Sequence, residues 1–430
     1  MSRLELNSWR PKLADSVILL ERENAFCFFR PEIPDWLVGI QNAAAILSRC
    51  NGSMTASDLA HLVSGEHNGI KPEEVLEFLT TLRSENALFA DQIPEPKACR
   101  PYPLRSVHLN LTSACNLRCV YCYADDRENK PNYLTKLEHF DLLAELTQLG
   151  TTVVTLTGGE PTLHPEWLSI AHKAKKSGHS LMLLTNAVAI APDEIAQAAS
   201  LFDLIKVSID GSTENVHDRL RGEGSFSRAM AAVEALFAKG ASVILSMTVT
   251  RQNIDDIPNA AARYGSMLSF APLFRAGRAK FRPDLDITGD EYYEALVNAH
   301  GVNPMSTLCS VLASAGKKPM RKCAIGDGEI SIGSDGTVYP CHMLHYPQFA
   351  AGNVRDKPLA DLLEAPSMRL CKDLIVDNLE ECRICEVLYL CGGACRARAF
   401  HATGCIDAVD EFCSYEYRAL LEGIFRAYKL

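Results

Sequence analysis

Three closely spaced cysteines in one short stretch place the strongest constraint on how this chain can fold. They are Cys115, Cys119 and Cys122, within the sequence CNLRCVYC. A structural zinc site takes four protein ligands, and disulfides take cysteines in pairs. An odd trio in one loop therefore favours a metal centre with one open coordination position. The alternative that the spacing alone allows is a zinc site.

Composition narrows the class of protein. The 430 residues are enough for two or three domains, and no apolar run is long enough to cross a bilayer. The N-terminus lacks the charged and then apolar plan of a signal peptide, so we expect a cytoplasmic protein with no membrane partner. Sixteen cysteines in a reducing compartment favour metal ligation over disulfides. The net charge of −10 argues against nucleic acid as a partner.

Residues 1–92 form the first predicted domain. The segment SVILLERENAFCFFRP predicts a β-hairpin, and helical patterns follow over Pro34 to Arg49, Thr55 to Val63 and Pro72 to Arg83. Two strands and three short helices indicate a winged-helix-like module. Residues 1–98 carry 9 Lys and Arg against 14 Asp and Glu, a net charge of −5, which makes DNA a poor partner for this module.

One stretch of this module, ILSRCNGSMTASDLA, resembles PqqD-like proteins, which hold the leader of a ribosomally made precursor peptide. The resemblance implies that the module is a peptide-recognition element and that its partner is a precursor peptide. The proline-rich stretch IPEPKACRPYP comes next, and we expect residues 93–103 to be a linker.

From about residue 104 the pattern alternates between strands and helices. Strands are predicted, in chain order, at VHLNL, TVVTL, SLMLL, LIKVSI, VILSMTV and MLSFA. Right-handed crossovers between such strands give a parallel sheet, so residues 104–290 are expected to form an α/β core, a partial (β/α)6 barrel. In parallel α/β folds the catalytic and binding residues lie beyond the carboxyl ends of the strands.

The unusual residues of the chain follow these strands. The cysteine trio follows the first strand, TGGEP the second, TNA the third and TVTRQN the fifth, while SIDGSTENVHDRLRG spans the end of the fourth. Each motif alone is weak, because a Gly-Gly is more often a turn and an Asn or Asp at a strand end is more often a local cap. Together they are expected to line one mouth of the barrel.

The pattern C-x3-C-x-aromatic-C, with Gly-Gly-Glu-Pro after the next strand, resembles the radical S-adenosylmethionine (SAM) superfamily. The resemblance implies that Cys115, Cys119 and Cys122 are catalytic and hold three irons of a [4Fe-4S] cluster, whose fourth iron binds SAM. The glycines would let backbone approach the methionyl group, and the glutamate would accept a hydrogen bond from its ammonium. The expected SAM-contacting or cluster-flanking residues are Tyr121, Gly158, Gly159, Glu160, Asn186, Ser208 and Asp210.

A second group of cysteines resembles the SPASM extension of radical SAM enzymes, over residues 305–420. Spacing alone would also allow a pair of zinc sites. The resemblance implies two auxiliary clusters and three [4Fe-4S] clusters in all. It assigns one auxiliary cluster to Cys382, Cys385, Cys391 and Cys413. It assigns the other to Cys323, Cys341 and Cys395, with Cys309 as a candidate additional ligand.

These resemblances together imply a maturase that modifies a precursor peptide by hydrogen abstraction with a 5′-deoxyadenosyl radical. The expected product is an intramolecular thioether or carbon–carbon crosslink. The expected electron donor is a reductase or a protein of the flavodoxin or ferredoxin type.

Three alternatives remain open. A sulfatase maturase shares the cysteine pattern, but it has an aspartate after the cysteine that matches Cys341, where this chain has His342. A non-catalytic iron–sulfur electron-transfer protein would not need Gly158, Gly159 and Glu160 for SAM. A DNA-binding redox regulator conflicts with the acidic first module.

Overall fold

The computed structural model describes residues 3–23, 25–67, 69–92, 103–124, 133–299 and 319–426. Cys99, Cys309 and nearly all of the predicted linker lie outside these ranges. Within them, no helix has both the length and the apolar character needed to cross a membrane.

The N-terminal module combines a small sheet with four helices. Its elements are α1 (Arg3–Ser8), β1 (Ile18–Arg22), β2 (Ala25–Arg30), β3 (Asp35–Gly39), α2 (Gln41–Leu47), α3 (Ala56–Glu66) and α4 (Pro72–Glu85). The sheet is antiparallel in the order β1-β2-β3, so β3 is an edge strand. The helices begin where local signals predict: the Thr55 side chain accepts a hydrogen bond from the Asp58 N–H, and Pro72 opens α4.

The prediction of a helix from Pro34 to Arg49 is wrong for the first half of that range. Residues Asp35–Gly39 form β3, which pairs with β2, and α2 begins only at Gln41. Trp36 and Val38 are both buried, and aromatic and β-branched residues suit a strand that packs one face against a core. Pairing with β2 therefore outweighs the helical periodicity of the sequence.

The core of the chain is a nine-stranded sheet in the order β12-β11-β10-β4-β5-β6-β7-β8-β9. The six predicted strands are confirmed, and they run parallel in sequence order. They are β4 (Ser106–Thr112), β5 (Val153–Gly158), β6 (Ser180–Thr185), β7 (Leu204–Ser208), β8 (Val243–Val249) and β9 (Leu268–Pro272). This is the α/β partial barrel that the sequence predicts.

Helices cover the outside of this sheet. They are α5 (Lys136–Gln148), α6 (Trp167–Lys176), α7 (Ile195–Leu201), α8 (Glu214–Arg221), α9 (Ser225–Ala238), α10 (Ile257–Tyr264) and α11 (Gly289–Asn298). A capping box opens α5, since Thr135 Oγ1 accepts from the Glu138 N–H and the Glu138 carboxylate accepts from the Thr135 N–H. Alternate residues of β4 and β8 are buried, which packs one face of each strand against the helices.

The cysteine-rich C-terminal part continues the same sheet. Its strands are β10 (Glu329–Ile332), β11 (Thr337–Tyr339) and β12 (Gly352–Asn353), and β10 pairs in parallel with β4. Its helices are α12 (Leu359–Leu362), α13 (Pro366–Lys372), α14 (Leu388–Cys391), α15 (Arg396–Thr403) and α16 (Cys413–Arg426). Residues on both sides of the predicted boundary at 290–305 therefore share one sheet, and the domain boundaries themselves stay a prediction.

The N-terminal sheet packs on the C-terminal part. Its buried Cys27, Phe29, Trp36 and Val38 form one apolar cluster with Val387, Leu390, Leu420 and Ile424. Its other apolar side chains, such as Phe28, pack against its own helices in a separate cluster. The N-terminal module is thus in direct contact with the loop and helix that carry several of the C-terminal cysteines.

Candidate active site

The carboxyl ends of the parallel strands surround a cavity of about 210 Å³. The predicted site residues that line it are Cys115, Cys119, Tyr121, Cys122, Gly158, Gly159, Glu160, Asn186 and Ser208. Six of the seven predicted SAM-contacting residues thus come together with the cysteine trio. Asp210 is the exception.

The cysteine trio lies on one wall of this cavity. Cys119 and Cys122 are buried and Cys115 is half-buried, and none of the cysteines in the described ranges forms a disulfide. The loop is held from outside, because Arg278 donates from Nε to the Cys119 carbonyl at 3.0 Å and from its backbone N–H to the Cys122 carbonyl at 2.8 Å. Burial raises the pKa of Cys119, although the nearby Arg221 opposes the shift.

Three thiols on one wall, with free space beside them, are a donor set that fits an iron–sulfur cluster with one open position. Thiolates are soft ligands that suit iron–sulfur clusters and zinc alike. The pocket beyond them offers polar atoms for a small molecule instead of a fourth protein ligand.

The Gly-Gly pair is required by the packing of two loops. A Cβ on Gly159 would lie 2.1 Å from the Ala114 carbonyl oxygen, and one on Gly158 would lie 2.4 Å from the Thr112 carbonyl oxygen. The same loops are joined by hydrogen bonds from Gly159 N–H to the Thr112 carbonyl at 2.7 Å and from Glu160 N–H to the Ala114 carbonyl at 2.8 Å. The glycines therefore let the second motif dock on the cysteine loop, a reason that differs from the predicted approach of SAM.

Glu160 is 1% exposed, and its carboxylate is oriented by four donors. Thr162 Oγ1 and Thr185 Oγ1 each donate to Oε1 at 2.7 Å, the Thr162 N–H donates to Oε1 at 3.2 Å, and the Asn186 N–H donates to Oε2 at 2.7 Å. Burial raises the pKa of Glu160, and these hydrogen bonds oppose the rise. The carboxylate is thus presented at the cavity in a single orientation.

Asn186 connects the third strand end to the cysteine loop. Its Nδ2 donates to Asn116 Oδ1 at 2.8 Å and lies 3.9 Å from Cys115 Sγ. Its Oδ1 accepts from the Val188 N–H at 2.9 Å. Ser208, at the end of β7, also lines the cavity.

Asp210 lies behind the cavity wall, where it is fully buried. Its carboxylate accepts from Arg221 Nε at 2.5 Å, from the Thr248 N–H at 2.9 Å and from the Tyr121 hydroxyl. Asp210 does not line the cavity, so its contact with SAM stays a prediction, while its carboxylate fixes Arg221 and Tyr121.

Arg221 is one of the site residues that the sequence did not single out, together with Tyr123 and Thr185. It lines the cavity at the last position of α8, with its guanidinium 5.5 Å from the Tyr121 ring centroid and Nη1 4.0 Å from Cys119 Sγ. A signal was available, because Arg221 lies four residues after His217 on the same helix face and both are buried. An arginine on a buried helix face needs an anionic partner.

A second cavity, of about 200 Å³, adjoins the first. The two share Tyr123, Gly158 and Gly159 as lining residues. The far wall of the second cavity comes from the C-terminal part and consists of Ser334, His342, Met343, His345 and Tyr346. The C-terminal part therefore completes a pocket next to the cysteine-lined cavity.

The C-terminal cysteines form two groups. Cys382, Cys385, Cys391 and Cys413 line one small cavity of about 50 Å³. Cys323, Cys341 and Cys395 pack around a different apolar cluster, and burial together with Cys395 raises the pKa of Cys323 to about 11. These are the two sets that the resemblance to the SPASM extension implies, and each fits the thiolate ligands of a cluster.

The fold and these cysteine-lined cavities define an iron–sulfur enzyme that binds SAM. The family model described as "Radical SAM superfamily" matches residues 109–263, and one described as "Iron-sulfur cluster-binding domain" (SPASM) matches residues 323–386. The chain belongs to the radical SAM superfamily and carries an auxiliary-cluster SPASM domain. SAM and [4Fe-4S] clusters are accordingly its cofactors.

Three known proteins illustrate the relationship. The mycofactocin maturase MftC of Mycobacterium ulcerans is 31% identical over 72% of this chain and 87% of its own. An AdoMet-dependent heme synthase of Methanosarcina barkeri is 26% identical over 72% of this chain and 96% of its own. The structure of Streptococcus suis SuiB bound to the precursor peptide SuiA has a TM-score of 0.58 at 14% identity, and covers 93% of this chain and 98% of SuiB. That coverage extends the shared fold into the N-terminal module, whose small sheet is consistent with a peptide-recognition element.

Proposed function

We propose that this chain is a maturase of a ribosomally made precursor peptide and forms an intramolecular thioether or carbon–carbon crosslink. The observation that carries the proposal is the pair of adjoining cavities that share Tyr123, Gly158 and Gly159. One cavity has the cysteine trio, and the other has space for a substrate side chain. The relative with 31% identity is named a maturase, and SuiB, which shares the fold, was solved with a precursor peptide.

In this proposal ten cysteines hold three [4Fe-4S] clusters. Cys115, Cys119 and Cys122 hold the SAM-binding cluster. Cys382, Cys385, Cys391 and Cys413 hold one auxiliary cluster, and Cys323, Cys341 and Cys395 hold the other. When bound, these groups supply hydrogen abstraction through a 5′-deoxyadenosyl radical and a buried acceptor for the electron that is released as the new bond forms.

The other residues of the first cavity bind and orient SAM. The fixed carboxylate of Glu160 suits an ammonium, and the Arg221 guanidinium suits a carboxylate. Asn186 and Ser208 provide polar atoms for the ribose, and Tyr121 provides a ring beside the cluster. Asp210 acts through Arg221 and Tyr121 as a positioning residue, because it contacts both side chains and does not itself line the cavity.

A groove on the N-terminal module suits an extended leader. It measures about 320 Å³ and is lined by Leu37, Glu74, Glu77, Phe78, Thr81, Leu82, Glu85 and Asn86, from β3, α4 and the residue after α4. β3 is an edge strand, so a leader can add a fourth strand beside it and place apolar side chains against Leu37 and Phe78. Three glutamates in the lining favour a leader that carries basic residues.

The decisive experiment is anaerobic reconstitution with SAM, a reductant such as a flavodoxin system, and a short peptide encoded beside the gene. Mass spectrometry should show a peptide that has lost two hydrogens, together with 5′-deoxyadenosine in proportion. A sulfatase-maturase-like enzyme would leave this peptide unchanged while it cleaves SAM. A non-catalytic electron carrier would cleave no SAM, and either result would contradict the proposal.

A further inference from the structure

Two histidines and a glutamate converge beside the second cavity. His108 lies on β4, Glu329 begins β10, and His342 follows Cys341. Glu329 is in register with Ser106, two residues from His108, so Glu329 and His108 extend from the same face of adjacent parallel strands. One ligand atom from each of the three side chains lies within 4.8 Å of the others.

The two distances that join a histidine nitrogen to the Glu329 carboxylate are too long for good hydrogen bonds. His108 Nε2 is 3.5 Å from Glu329 Oε1, and His342 Nδ1 is 3.6 Å from the same oxygen. Good N–H···O bonds are about 2.7–3.2 Å long. Ligands that bind one ion at about 2.1 Å in tetrahedral geometry are separated from each other by about 3.4 Å. The two imidazole–carboxylate separations therefore match the edges of a coordination shell better than they match hydrogen bonds.

We propose that His108, Glu329 and His342 bind one divalent first-row transition-metal ion, separate from the iron–sulfur clusters. Two imidazole nitrogens and one carboxylate oxygen are a donor set for Zn²⁺, Fe²⁺ and Mn²⁺, and three protein ligands leave coordination positions open. The two imidazole rings are stacked with centroids 4.3 Å apart, so both histidines lie close to each other as well as to the carboxylate.

The site adjoins the second cavity, because His342 is one of the residues that line it. The neighbouring His345 is not a fourth ligand, since its Nε2 lies 2.8 Å from Ser331 Oγ and its ring stacks on Tyr339 at 4.3 Å. An ion at this place would bind an oxygen or nitrogen atom of whatever molecule enters the cavity. The site does not depend on the peptide-maturase proposal.

A competing use of His342 is ligation of the nearby auxiliary cluster. His342 Nδ1 is 4.0 Å from Cys341 Sγ, so the same nitrogen is within reach of a cluster held by that cysteine. The two uses differ in their partners. An ion site needs His108 and Glu329, whereas cluster ligation does not.

The test uses the anaerobically reconstituted holoenzyme, desalted to remove free iron. Mn²⁺ is titrated in and free Mn²⁺ is followed by electron paramagnetic resonance (EPR), and Zn²⁺ retained after gel filtration is counted by mass spectrometry. The variants are His108→Gln, Glu329→Gln and His342→Gln. The matched control is His61→Gln, which removes an exposed histidine from α3. The wild type and the control should bind one additional ion, and each of the other variants should bind it at least tenfold more weakly with unchanged cluster iron.

Two results would overturn the proposal. In the first, neither Mn²⁺ nor Zn²⁺ binds the wild type more tightly than it binds the His108→Gln and Glu329→Gln variants. In the second, His342→Gln alone changes the iron content or the cluster EPR signal, which would assign His342 to the auxiliary cluster.

Discussion

Asp410 accepts a hydrogen bond from the backbone N–H of Cys395 through its carboxylate, at 2.8 Å. Its backbone carbonyl also accepts one from the Cys413 N–H, at 2.9 Å. Cys395 and Cys413 belong to different proposed auxiliary clusters, so one aspartate positions a ligand of each. The carboxylate is neutralised by Arg398, which donates from Nε at 2.6 Å and from Nη2 at 2.8 Å.

The first prediction is that Asp410→Asn destabilises the C-terminal part and lowers the iron content of both auxiliary clusters. Asp410 is 2% exposed and Arg398 is 4% exposed, so the substitution removes the main anion of a buried guanidinium and leaves it only the Glu416 carboxylate, at 3.2 Å. Leaving a buried charge with no partner costs about 3–5 kcal/mol, and the remaining contact with Glu416 should keep the loss at or below the lower end of that range. Thermal unfolding and iron analysis measure both effects. The control is Asp15→Asn in the exposed pair with Lys12, where a change below about 1 kcal/mol is expected. Equal effects of the two substitutions would disprove the positioning role.

The second prediction concerns the cysteine trio. Replacing Cys115, Cys119 and Cys122 together by Ala should remove about four irons per chain and all SAM cleavage, because one [4Fe-4S] cluster loses its ligands. The auxiliary clusters should keep their iron. The exposed Cys405, which lines none of the described cavities, is the control, and Cys405→Ala should retain full iron. If the wild-type enzyme instead holds a zinc ion that the triple variant lacks, the trio is a zinc site.

The third prediction is that Gly159→Ala disturbs both SAM cleavage and the SAM-binding cluster. The added Cβ would meet the Ala114 and Ser113 carbonyl oxygens at 2.1 and 2.5 Å, so the cysteine loop has to move. We expect at least a tenfold loss of 5′-deoxyadenosine and a reduced cluster absorbance. Gly65→Ala in α3 is the control, because no atom lies within 4 Å of its added Cβ and the helix should gain about 0.5–1 kcal/mol. Cluster absorbance that is normal in Gly159→Ala would show that the loops tolerate the contact.

The fourth prediction tests the leader groove through its charge. Glu77→Lys should weaken binding of a basic leader at least tenfold at low salt, and the loss should shrink as salt screens the groove. Fluorescence anisotropy of a labelled leader measures the affinity, and uncoupled SAM cleavage should not change. Glu21→Lys makes the same charge change on β1, at the opposite edge of the sheet, and should have little effect. The groove is not the leader site if both variants bind equally.

Charge reversal is a better test than deletion of residues 1–92. The N-terminal sheet buries Phe29 and Trp36 against Leu390 and Leu420 of the C-terminal part. Deletion would expose that apolar face and could unfold the region around the auxiliary cysteines. A loss of activity in the truncated chain would therefore not isolate leader binding.

The fifth prediction is a decline in stability below neutral pH that depends on His139. Burial is the main cause that lowers the pKa of His139 to about 3, with a smaller contribution from His164. The unfolded chain binds a proton near pH 6.5 and the folded chain does not, so stability is full above pH 6.5 and falls as the pH drops below it. Between pH 8 and pH 5.5 the protonation of this group in the unfolded chain should lower the free energy of unfolding by about 1.4 kcal/mol.

Chemical unfolding at several pH values measures this dependence. Between pH 8 and pH 5.5 the free energy of unfolding of the His139→Leu variant should fall by about 1.4 kcal/mol less than that of the wild type, because the variant lacks this buried imidazole. An identical slope in the wild type and the variant would exclude His139 as the source. The exposed His61→Gln variant should keep the wild-type slope.

Local patterns were sufficient to predict the six parallel strands, and the resemblance of short motifs to known families indicated the cysteine groups and most of the predicted residues of the first cavity. The strand patterns and the motif from Cys115 to Cys122 each depend on a few neighbouring residues. What could not be predicted depends on long-range partners. β3 is a strand because β2 pairs with it, Asp210 is occupied because Arg221 reaches it from α8, and Glu329 meets His108 only because β10 pairs with β4.

The pairing of β10 with β4 also determines when the chain can finish folding. Asn110 and Ser331, which are hydrogen-bonded across these strands, are 221 residues apart in sequence. A ribosome that adds about 5–20 residues per second leaves β4 as an open edge for about 10 to 45 s before β10 emerges. Unpaired edges recruit other strands, so the nascent barrel is exposed to aggregation during that interval. Production at lower temperature or with added chaperones should therefore improve the yield of soluble protein more than changes to the surface would.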